Sequence, residues 1–245
     1  MIKFFRNIRR RLLRENRFTR YLIYAVGEII LVVIGILIAL QINNWNENRK
    51  TDIREGELIE NLHIEFQDNL QELDSISKEV DTLVLSLEHI FDHFQPLSQT
   101  KPTPQLDSLL SKALYSPTWR PSEYLLNNLG NSGSIADLKN ERLKLLLYKW
   151  SRLMNLLKDV QQSTGEKGDE IITYLKQNGS LRNVDVKNKN FNYRRSLLDT
   201  DNRNLFSDPE FENHIDDKLF MIRQSRNILK DVRVLLVQLI AETAN

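Results

Sequence analysis

The stretch Tyr21-Leu-Ile-Tyr-Ala-Val-Gly-Glu-Ile-Ile-Leu-Val-Val-Ile-Gly-Ile-Leu-Ile-Ala-Leu40 contains twenty residues and a single charged side chain, that of Glu28. A helix needs about 20 mostly apolar residues to cross a hydrocarbon core of roughly 30 Å. The sequence therefore predicts one transmembrane helix, at residues 21–42. The mean hydropathy of the whole chain is −0.42, so this stretch is a local exception and the remainder is expected to be soluble.

The segment that precedes this stretch is strongly basic. Residues 1–20 carry eight basic side chains and one acidic one, although the whole chain has a net charge of only +1. A basic flank before a first hydrophobic helix favours retention of that flank in the cytoplasm. We therefore expect residues 1–20 to be a cytoplasmic arm and residues 43–245 to be a helical domain on the outer side of the membrane. In a Gram-negative bacterium this means a protein of the inner membrane with a periplasmic domain.

Phe4, Ile8 and Leu12 lie among the arginines of the arm at near-helical spacing. Such a segment can lie on a bilayer with its apolar face down and its arginines on anionic headgroups. The predicted partner of the arm is therefore the lipid bilayer. Nucleic acid is the alternative partner for so much positive charge, but we expect none because membrane topology already accounts for the arginines.

A cleaved signal peptide is the alternative interpretation of the apolar stretch. The apolar core is longer than the roughly 7–15 residues that are usual in a signal peptide, and the residues at 41–47 contain no clear small-residue cleavage site. We therefore expect an uncleaved anchor. The chain has no cysteine, which excludes disulfides and thiolate metal sites and is compatible with either redox compartment.

The remaining sequence predicts long amphipathic helices, because apolar residues recur at steps of three or four. The first such stripe covers residues 59–94 and ends before Pro96. The second starts after a candidate N-cap at Asn140 and ends at Asn178-Gly179. The third follows Ser207-Asp-Pro-Glu210, which reads as a capping box with proline in the first turn. No strand-like alternation of useful length is present.

The connections between these stripes predict smaller elements. Residues 96–105 contain three prolines and read as a linker. Short helices are expected at 106–114 and at 122–129, the second closed by Gly130, and residues 179–206 are expected to be irregular. The predicted fold class is all-α, with one N-terminal transmembrane helix followed by a long-helix bundle, because each apolar stripe needs a partner.

Glu28 is the most unusual residue of the apolar stretch, because a carboxylate within a bilayer costs a few kcal/mol. Either it reaches the headgroups or is protonated in place, or it faces another helix. The second alternative predicts a helix–helix contact, since small residues allow two backbones to approach. We expect little proton conduction, as the stretch has no second ionisable group. The residues of the predicted contact share one face of the helix: Ala25, Glu28, Val32, Gly35, Ala39 and Ile42.

Two further groups are candidate sites. His89 and His93 are four residues apart and project from one helical face, as two zinc ligands would, but the Glu that follows the first His in zincins is replaced by Ile90. We therefore expect a solvated helix edge, with no metal and no cofactor. Aromatic residues near the short helices are expected to form bundle core, or to line a small pocket between helices: Trp119, Tyr124 and Trp150.

Two segments resemble an uncharacterised family that is common in Bacteroidota, domain-of-unknown-function family 6090. The first is Tyr24-Ala-Val-Gly-Glu-Ile-Ile-Leu-Val-Val-Ile-Gly-Ile-Leu-Ile-Ala-Leu-Gln-Ile-Asn-Asn-Trp-Asn46. The second is Pro117-Thr-Trp-Arg-Pro-Ser-Glu-Tyr124, followed by Asn131-Ser-Gly133 and Asn140-Glu-Arg-Leu143. The resemblance implies a Gram-negative envelope and a periplasmic domain. It also implies that Glu28 belongs to the membrane signature, and it supplies no catalytic residues.

The sequence contains no recognisable catalytic constellation, so the leading prediction is a non-enzymatic interaction or scaffold protein. It is expected to form a homo-oligomer and to have an envelope protein as a possible partner. The alternative is a periplasmic sensor or ligand-binding module that signals to a separate cytoplasmic protein, because a 20-residue arm holds no output domain. A hydrolase or metalloenzyme would have to depend on His89 and His93.

Overall fold

The computed structural model describes residues 18–95, 104–132, 135–188, 192–198 and 200–244, and every regular element in these ranges is a helix. The elements are α1 (Phe18–Phe91), α2 (Pro104–Leu114), α3 (Tyr124–Ser132), α4 (Glu141–Asn178), α5 (Leu181–Asp185), a 3-10 helix (Asn202–Ser207) and α6 (Pro209–Thr243). The all-α prediction is confirmed. Residues 1–17 of the predicted arm and residues 96–103 of the predicted linker lie outside the described residues.

The chain divides into two compact units, residues 1–58 and residues 59–245. The described part of the first unit is the N-terminal portion of α1. The most apolar window of 18 residues there has a mean hydropathy of 2.7, and none of it is buried. Among the described helices, α1 is the one that is long and apolar enough to cross a membrane.

The second unit contains three long helices, formed by the C-terminal portion of α1, by α4 and by α6. Helices α4 and α6 are antiparallel, since Arg142 pairs with Glu242 at 2.8 Å and Lys167 pairs with Asp217 at 3.3 Å. Helix α1 is also antiparallel to α6. Three ion pairs show this, at nitrogen–oxygen distances of 2.6–2.7 Å: Asp74–Arg233, Asp81–Arg226 and Glu88–Arg223.

These ion pairs are partly exposed, and such pairs contribute only about 0–1 kcal/mol each. Their main effect is on the register between α1 and α6. The three carboxylates of α1 are seven residues apart and therefore lie on one side of the helix, facing α6. Since α1 and α4 are both antiparallel to α6, they are parallel to each other. The chain therefore has to return along the bundle between the end of α1 and the start of α4, and α2 and α3 lie in this return connection.

The core of the second unit is formed by one face of each long helix. Buried residues recur there every three or four positions along the chain. The predicted stripe on α1 is buried at most of its positions, including Leu62, Phe66 and Leu73, whereas Leu70 and Ile76 are half-buried. The buried series on α6 contains apolar residues and three polar ones. Its members are Phe211, Ile215, Lys218, Leu219, Ile222, Ser225, Ile228, Leu229, Val232, Leu235, Leu236, Leu239 and Thr243.

The ends of α4 agree with the sequence. Asn140 is the N-cap and its side-chain oxygen accepts from the backbone N–H of Leu143 at 2.9 Å. Gly179 is the C-cap, and its N–H donates to the carbonyl of Leu175. The predicted closure of α3 at Gly130 is wrong, because α3 continues to Ser132. A glycine inside a helix costs only about 1 kcal/mol, so it does not have to end one.

The predicted N-cap of α6 at Ser207 is also wrong. Asp208 is the N-cap and accepts from the N–H of Glu210 at 2.9 Å, while the hydroxyl of Ser207 donates to the carbonyl of Gln95. The segment that was expected to be irregular contains α5 and the 3-10 helix. Short helices of this kind carry little periodic signal, and here buried asparagines hold them in place.

Two glycines of α4 have different surroundings, and they test the packing of this helix. A Cβ atom at Gly165 would have no atom within 4 Å, whereas one at Gly168 would lie 3.0 Å from the Nζ atom of Lys218. We expect Gly165→Ala to raise the free energy of unfolding by about 0.5–1 kcal/mol. Gly168→Ala is expected to lower it, because Lys218 is buried and has to move. Chemical denaturation of the two variants in detergent checks this; equal gains would contradict the packing described here.

Candidate functional site

An extended segment at residues 115–123 joins α2 to α3 and lies along α4 in the opposite direction. Its start is near Gly168, since the hydroxyl of Ser116 lies 3.5 Å from the position of a Cβ there. Its middle contacts Gln161 and its end contacts Trp150. A segment in this position cannot pair its backbone groups as a helix or a sheet would, so its N–H and C=O groups need other partners.

Two carboxamide side chains supply these partners. The side chain of Gln161 accepts from the N–H of Trp119 at 2.6 Å and donates to its carbonyl at 3.2 Å. On the other side, Asn69 of α1 accepts from the N–H of Ser122 at 2.7 Å and donates to its carbonyl at 2.8 Å. Each carboxamide therefore pairs with one residue as a neighbouring strand would, and the segment is fixed between α1 and α4.

Two carboxylates fix the end of the segment. Glu65 accepts from the hydroxyl of Ser122 at 2.5 Å and from the N–H of Tyr124 at 2.9 Å. Tyr124 is the first residue of α3, so a carboxylate is favourable at this position. Glu123 accepts from the indole N–H of Trp150 at 2.9 Å. Both carboxylates thus hold the connection in place.

The indole rings form part of the core beneath the segment. Trp119 packs edge-to-face on Trp150 with ring centroids 6.1 Å apart, and Trp150 packs on Phe66 at 6.0 Å. The side chain of Tyr124 is 72% exposed and does not join them. The structure therefore brings together two of the three aromatic residues of the predicted pocket. The buried indole N–H of Trp119 has no hydrogen-bond partner among the described residues.

A groove of about 740 Å³ lies between the segment and α4. Its polar lining includes Arg120 and Lys158, which are basic, and Glu166 and Asp169, which are acidic. Its apolar lining includes Trp119, while Tyr124 and Trp150 are not part of it. The remaining lining residues are Thr118, Pro121, Glu123, Met154, Asn155, Leu157, Gln161, Gln162 and Gly165. The volume lies within the range of small-molecule sites, whereas the lining is more polar than is usual in them.

Lys218 of α6 holds the beginning of the segment. It is fully buried, and its ammonium donates to the carbonyl of Ala113 at 2.5 Å and to that of Tyr115 at 3.2 Å. These carbonyls are at the C-terminal end of α2, where a cation is favourable. Burial lowers the pKa of Lys218 from 10.5 to about 8, and the charge of Asp169 acts in the opposite direction.

The predicted contact face of α1 belongs to the first unit. Of its six residues, Ala25 and Glu28 are half-exposed, and the other four are exposed. A Cβ atom at Gly35 would meet no atom within 4 Å. The described residues therefore leave space beside Gly35, and occupation of this face by a second helix stays a prediction.

The two histidines of the weak metal candidate lie at the end of α1. The ring centroids of His89 and His93 are 5.2 Å apart, and His93 packs edge-on against Phe206. The described part of the chain contains no cluster of three or more histidine or carboxylate side chains arranged for a metal ion. The expectation of no metal stays a prediction.

Sequence reasoning missed the residues that position the segment, namely Asn69, Gln161 and Lys218. The sequence contains a signal for two of them, because each is a polar residue at a position where the helical spacing predicts a buried apolar one. Asn69 comes seven residues after Leu62, and Lys218 comes seven residues after Phe211. Gln161 offers no comparable signal, since a glutamine on a half-buried helix face is ordinary.

Comparison with models of protein families gives a match. A family model described as "Family of unknown function (DUF6090)" matches residues 28–150, which is half of the chain. The matched range includes Glu65, Asn69, the extended segment and Trp150, whereas Gln161 and Lys218 lie outside it. No curated protein and no solved structure matches.

The carboxamide of Gln161 can be tested against its neighbour Gln162, which is exposed and donates to Glu166 at 3.0 Å. We expect Gln161→Leu to lower the free energy of unfolding by about 2 kcal/mol, because it leaves the backbone N–H and C=O of Trp119 without partners. Gln162→Leu is expected to stay within about 0.5 kcal/mol of the original protein. Chemical denaturation followed by tryptophan fluorescence measures both. Equal effects of the two substitutions would show that Gln161 does not hold the segment.

The depressed pKa of Lys218 predicts a dependence of stability on pH. The unfolded chain binds this proton more tightly than the folded one, so it holds more protons between about pH 8 and pH 10.5. Stability contributed by this group therefore rises with pH across that window. Relative to Lys218→Met, we expect the original protein to gain up to about 3 kcal/mol between pH 7.5 and 10.5. Denaturation of both proteins over this pH range measures the difference in their free energies of unfolding. A difference that does not change with pH would contradict the depressed pKa.

Proposed function

The chain belongs to that family of unknown function, and we propose that it is a single-pass inner-membrane protein that acts as a non-enzymatic interaction or scaffold module. In this proposal α1 crosses the bilayer at residues 21–42, and the helical domain works on the periplasmic side. The observation that carries it is the apolar surface of α1. Side chains such as Ile29 and Leu31 are 63% and 66% exposed, and a continuous apolar surface of this kind requires lipid or another protein.

The proposed orientation depends on charge. The eight basic side chains of residues 1–20 favour the cytoplasm, and the proposal therefore has the chain after residue 42 on the periplasmic side. The same residues are proposed to contact anionic headgroups.

The proposed oligomer depends on the open face of α1. Gly35 and Ala39 leave room for a second helix to approach, and Glu28 would then lie beside protein rather than lipid. A homo-oligomer is the simplest way to cover a face that is the same in every copy. Its effect would be to display several helical domains side by side.

The absence of an enzymatic role is part of the proposal, and the bonds of the candidate site support it. Glu65, Glu123 and Lys218 are the ionisable groups that hold the segment, and each is engaged in structural hydrogen bonds. These groups organise a surface and are not arranged around a reacting atom.

A second candidate function is a periplasmic sensor or ligand-binding module. The groove of about 740 Å³ favours it, since Arg120 and Lys158 can bind an anionic group of a ligand. In that case the groove would bind the ligand and α1 would carry the signal to a separate cytoplasmic partner. The same proposed topology serves both functions.

The absence of native cysteine allows a direct test with single-cysteine variants in membranes. We expect Val32→Cys and Ala39→Cys to form disulfide-linked dimers on mild oxidation, because both lie on the proposed contact face. Ile34→Cys and Leu37→Cys are the controls, since each lies about 140–160° around the helix from Val32 and Ala39. Non-reducing electrophoresis measures the dimers. Equal cross-linking from both faces, or none from Val32 and Ala39, would contradict the oligomer.

A further single-cysteine variant tests the orientation of the chain across the membrane. Leu85 is 66% exposed on α1 in the second unit, so Leu85→Cys should react with a membrane-impermeant maleimide on spheroplasts. Reaction only after lysis would place this domain in the cytoplasm and overturn the proposed topology.

A further inference from the structure

The groove between the extended segment and α4 is elongated along the helix. Its lining on α4 extends from Met154 to Asp169, which is about 22 Å at a rise of 1.5 Å per residue. The segment runs in the opposite direction and forms the other wall. A groove with these dimensions and a volume of about 740 Å³ fits a narrow, extended ligand.

One end of the groove is basic. Arg120 follows Trp119, whose backbone bonds the side chain of Gln161. Because the segment is antiparallel to α4, Arg120 lies near the level of Lys158, about one turn before Gln161. Both cations are exposed and line the groove. They offer two positive charges to one anionic group of a ligand.

The other end of the groove is acidic. Glu166 and Asp169 also line it and are exposed. They follow Lys158 by eight and eleven residues, so they lie about 12 and 16 Å further along the helix axis. At this separation the carboxylates cannot pair with Lys158. They offer negative charge to a cationic group at the far end of the same ligand.

The neighbouring charges leave this polarity in place. At the basic end, Glu123 lines the groove, but it is one carboxylate beside two cations and already accepts from an indole N–H. At the acidic end, Lys218 is buried and its ammonium is bonded to two backbone carbonyls. Lys167 pairs there with Glu170 and Asp217. Carboxylates therefore outnumber ammonium groups at the acidic end, and cations outnumber carboxylates at the basic end.

The middle of the groove suits a peptide backbone. Thr118 and Gln162 line it and are exposed, and their side chains can bond N–H and C=O groups. A Cβ atom at Gly165 would meet no atom within 4 Å, so a ligand can approach the helix closely at this point. A ligand with many hydrogen-bonding groups fits a lining that is more polar than that of most small-molecule sites.

We propose that the groove binds short peptides with free ends, with the terminal carboxylate at Arg120 and Lys158 and the terminal ammonium at Glu166 and Asp169. An extended chain rises about 3.3 Å per residue, so the ends of a peptide of four or five residues match the separation of the two charged ends. Both contacts are to groups that every such peptide carries. The inference rests on the second candidate function, a ligand-binding module, and assigns its ligand class.

The test uses the full-length chain in detergent, with tetra-alanine as the probe and ligand-observed NMR titration as the measurement. We expect saturable binding. Acetylation of the N-terminus or amidation of the C-terminus should each weaken it about fivefold, as expected for the loss of an exposed ion pair. Di-alanine is too short to reach both ends of the groove and should bind about as weakly as the blocked peptides.

Neutral variants assign each end of the peptide to its contact. In Glu166→Gln, acetylation should weaken binding by about twofold at most, while amidation keeps its full effect; in Arg120→Gln the two effects should be reversed. Arg152→Gln and Asp216→Asn are the controls, since both residues are exposed and do not line the groove. Gly165→Leu fills the middle of the groove and should weaken binding about tenfold without lowering the stability, because the site is open.

Three outcomes would overturn the inference: no binding of tetra-alanine, equal binding of the blocked peptides, and equal effects of the control variants. N-acetyl-alanine, an anion without an ammonium, separates this failure from that of the ligand-binding function. If it binds as tightly as tetra-alanine and requires Arg120, the groove is a ligand site but not a peptide site. If neither probe binds, the second candidate function fails as well. The expected cross-linking at Val32 and Ala39 is unaffected by any of these results.

Discussion

The arrangement of the second unit depends on one constraint. The backbone N–H and C=O groups of the extended segment at residues 115–123 need hydrogen-bond partners. Because α1 and α4 are parallel, the chain has to return along the bundle before α4 can begin. A return of this kind brings peptide groups against helices whose own backbone groups are already paired. The carboxamides of Asn69 and Gln161 meet the requirement from two sides, and Lys218 meets it where α2 ends.

This requirement explains why polar residues interrupt apolar series on the long helices. Asn69 and Lys218 occupy positions that would otherwise hold leucine or isoleucine, and burial of such groups is unfavourable unless they are bonded. Their bonds reach the connection and not the neighbouring long helix. They therefore specify where α2 and the segment lie, while the apolar residues around them supply most of the stability. Gly168 has a matching role, because the absence of a side chain leaves room for the lysine.

Periodicity predicted the long elements well and the connections poorly. Residues such as Leu62, Phe66 and Leu73 are buried as their spacing indicated, since a repeat of three and four residues maps directly onto one helix face. Caps were predicted where a single side chain acts locally, as at Asn140. The prediction failed at Ser207, where two neighbouring side chains compete for the same role and a distant carbonyl, that of Gln95, engages one of them. It also missed α5 and the 3-10 helix, which are held by long-range bonds.

The sequence by itself determined the helical class, the three amphipathic stripes and the one helix that is apolar enough to cross a membrane, because each follows from composition and spacing along a single element. Only the tertiary structure decided that α1 and α4 are parallel and that Trp119 and Trp150 meet while Tyr124 points to solvent. It also decided that Asp107 pairs with Arg195 and that Asn183 accepts from the backbone N–H of Ser196. These facts depend on pairs of residues that are far apart in the chain, and no local pattern records which distant partner a buried polar group will find.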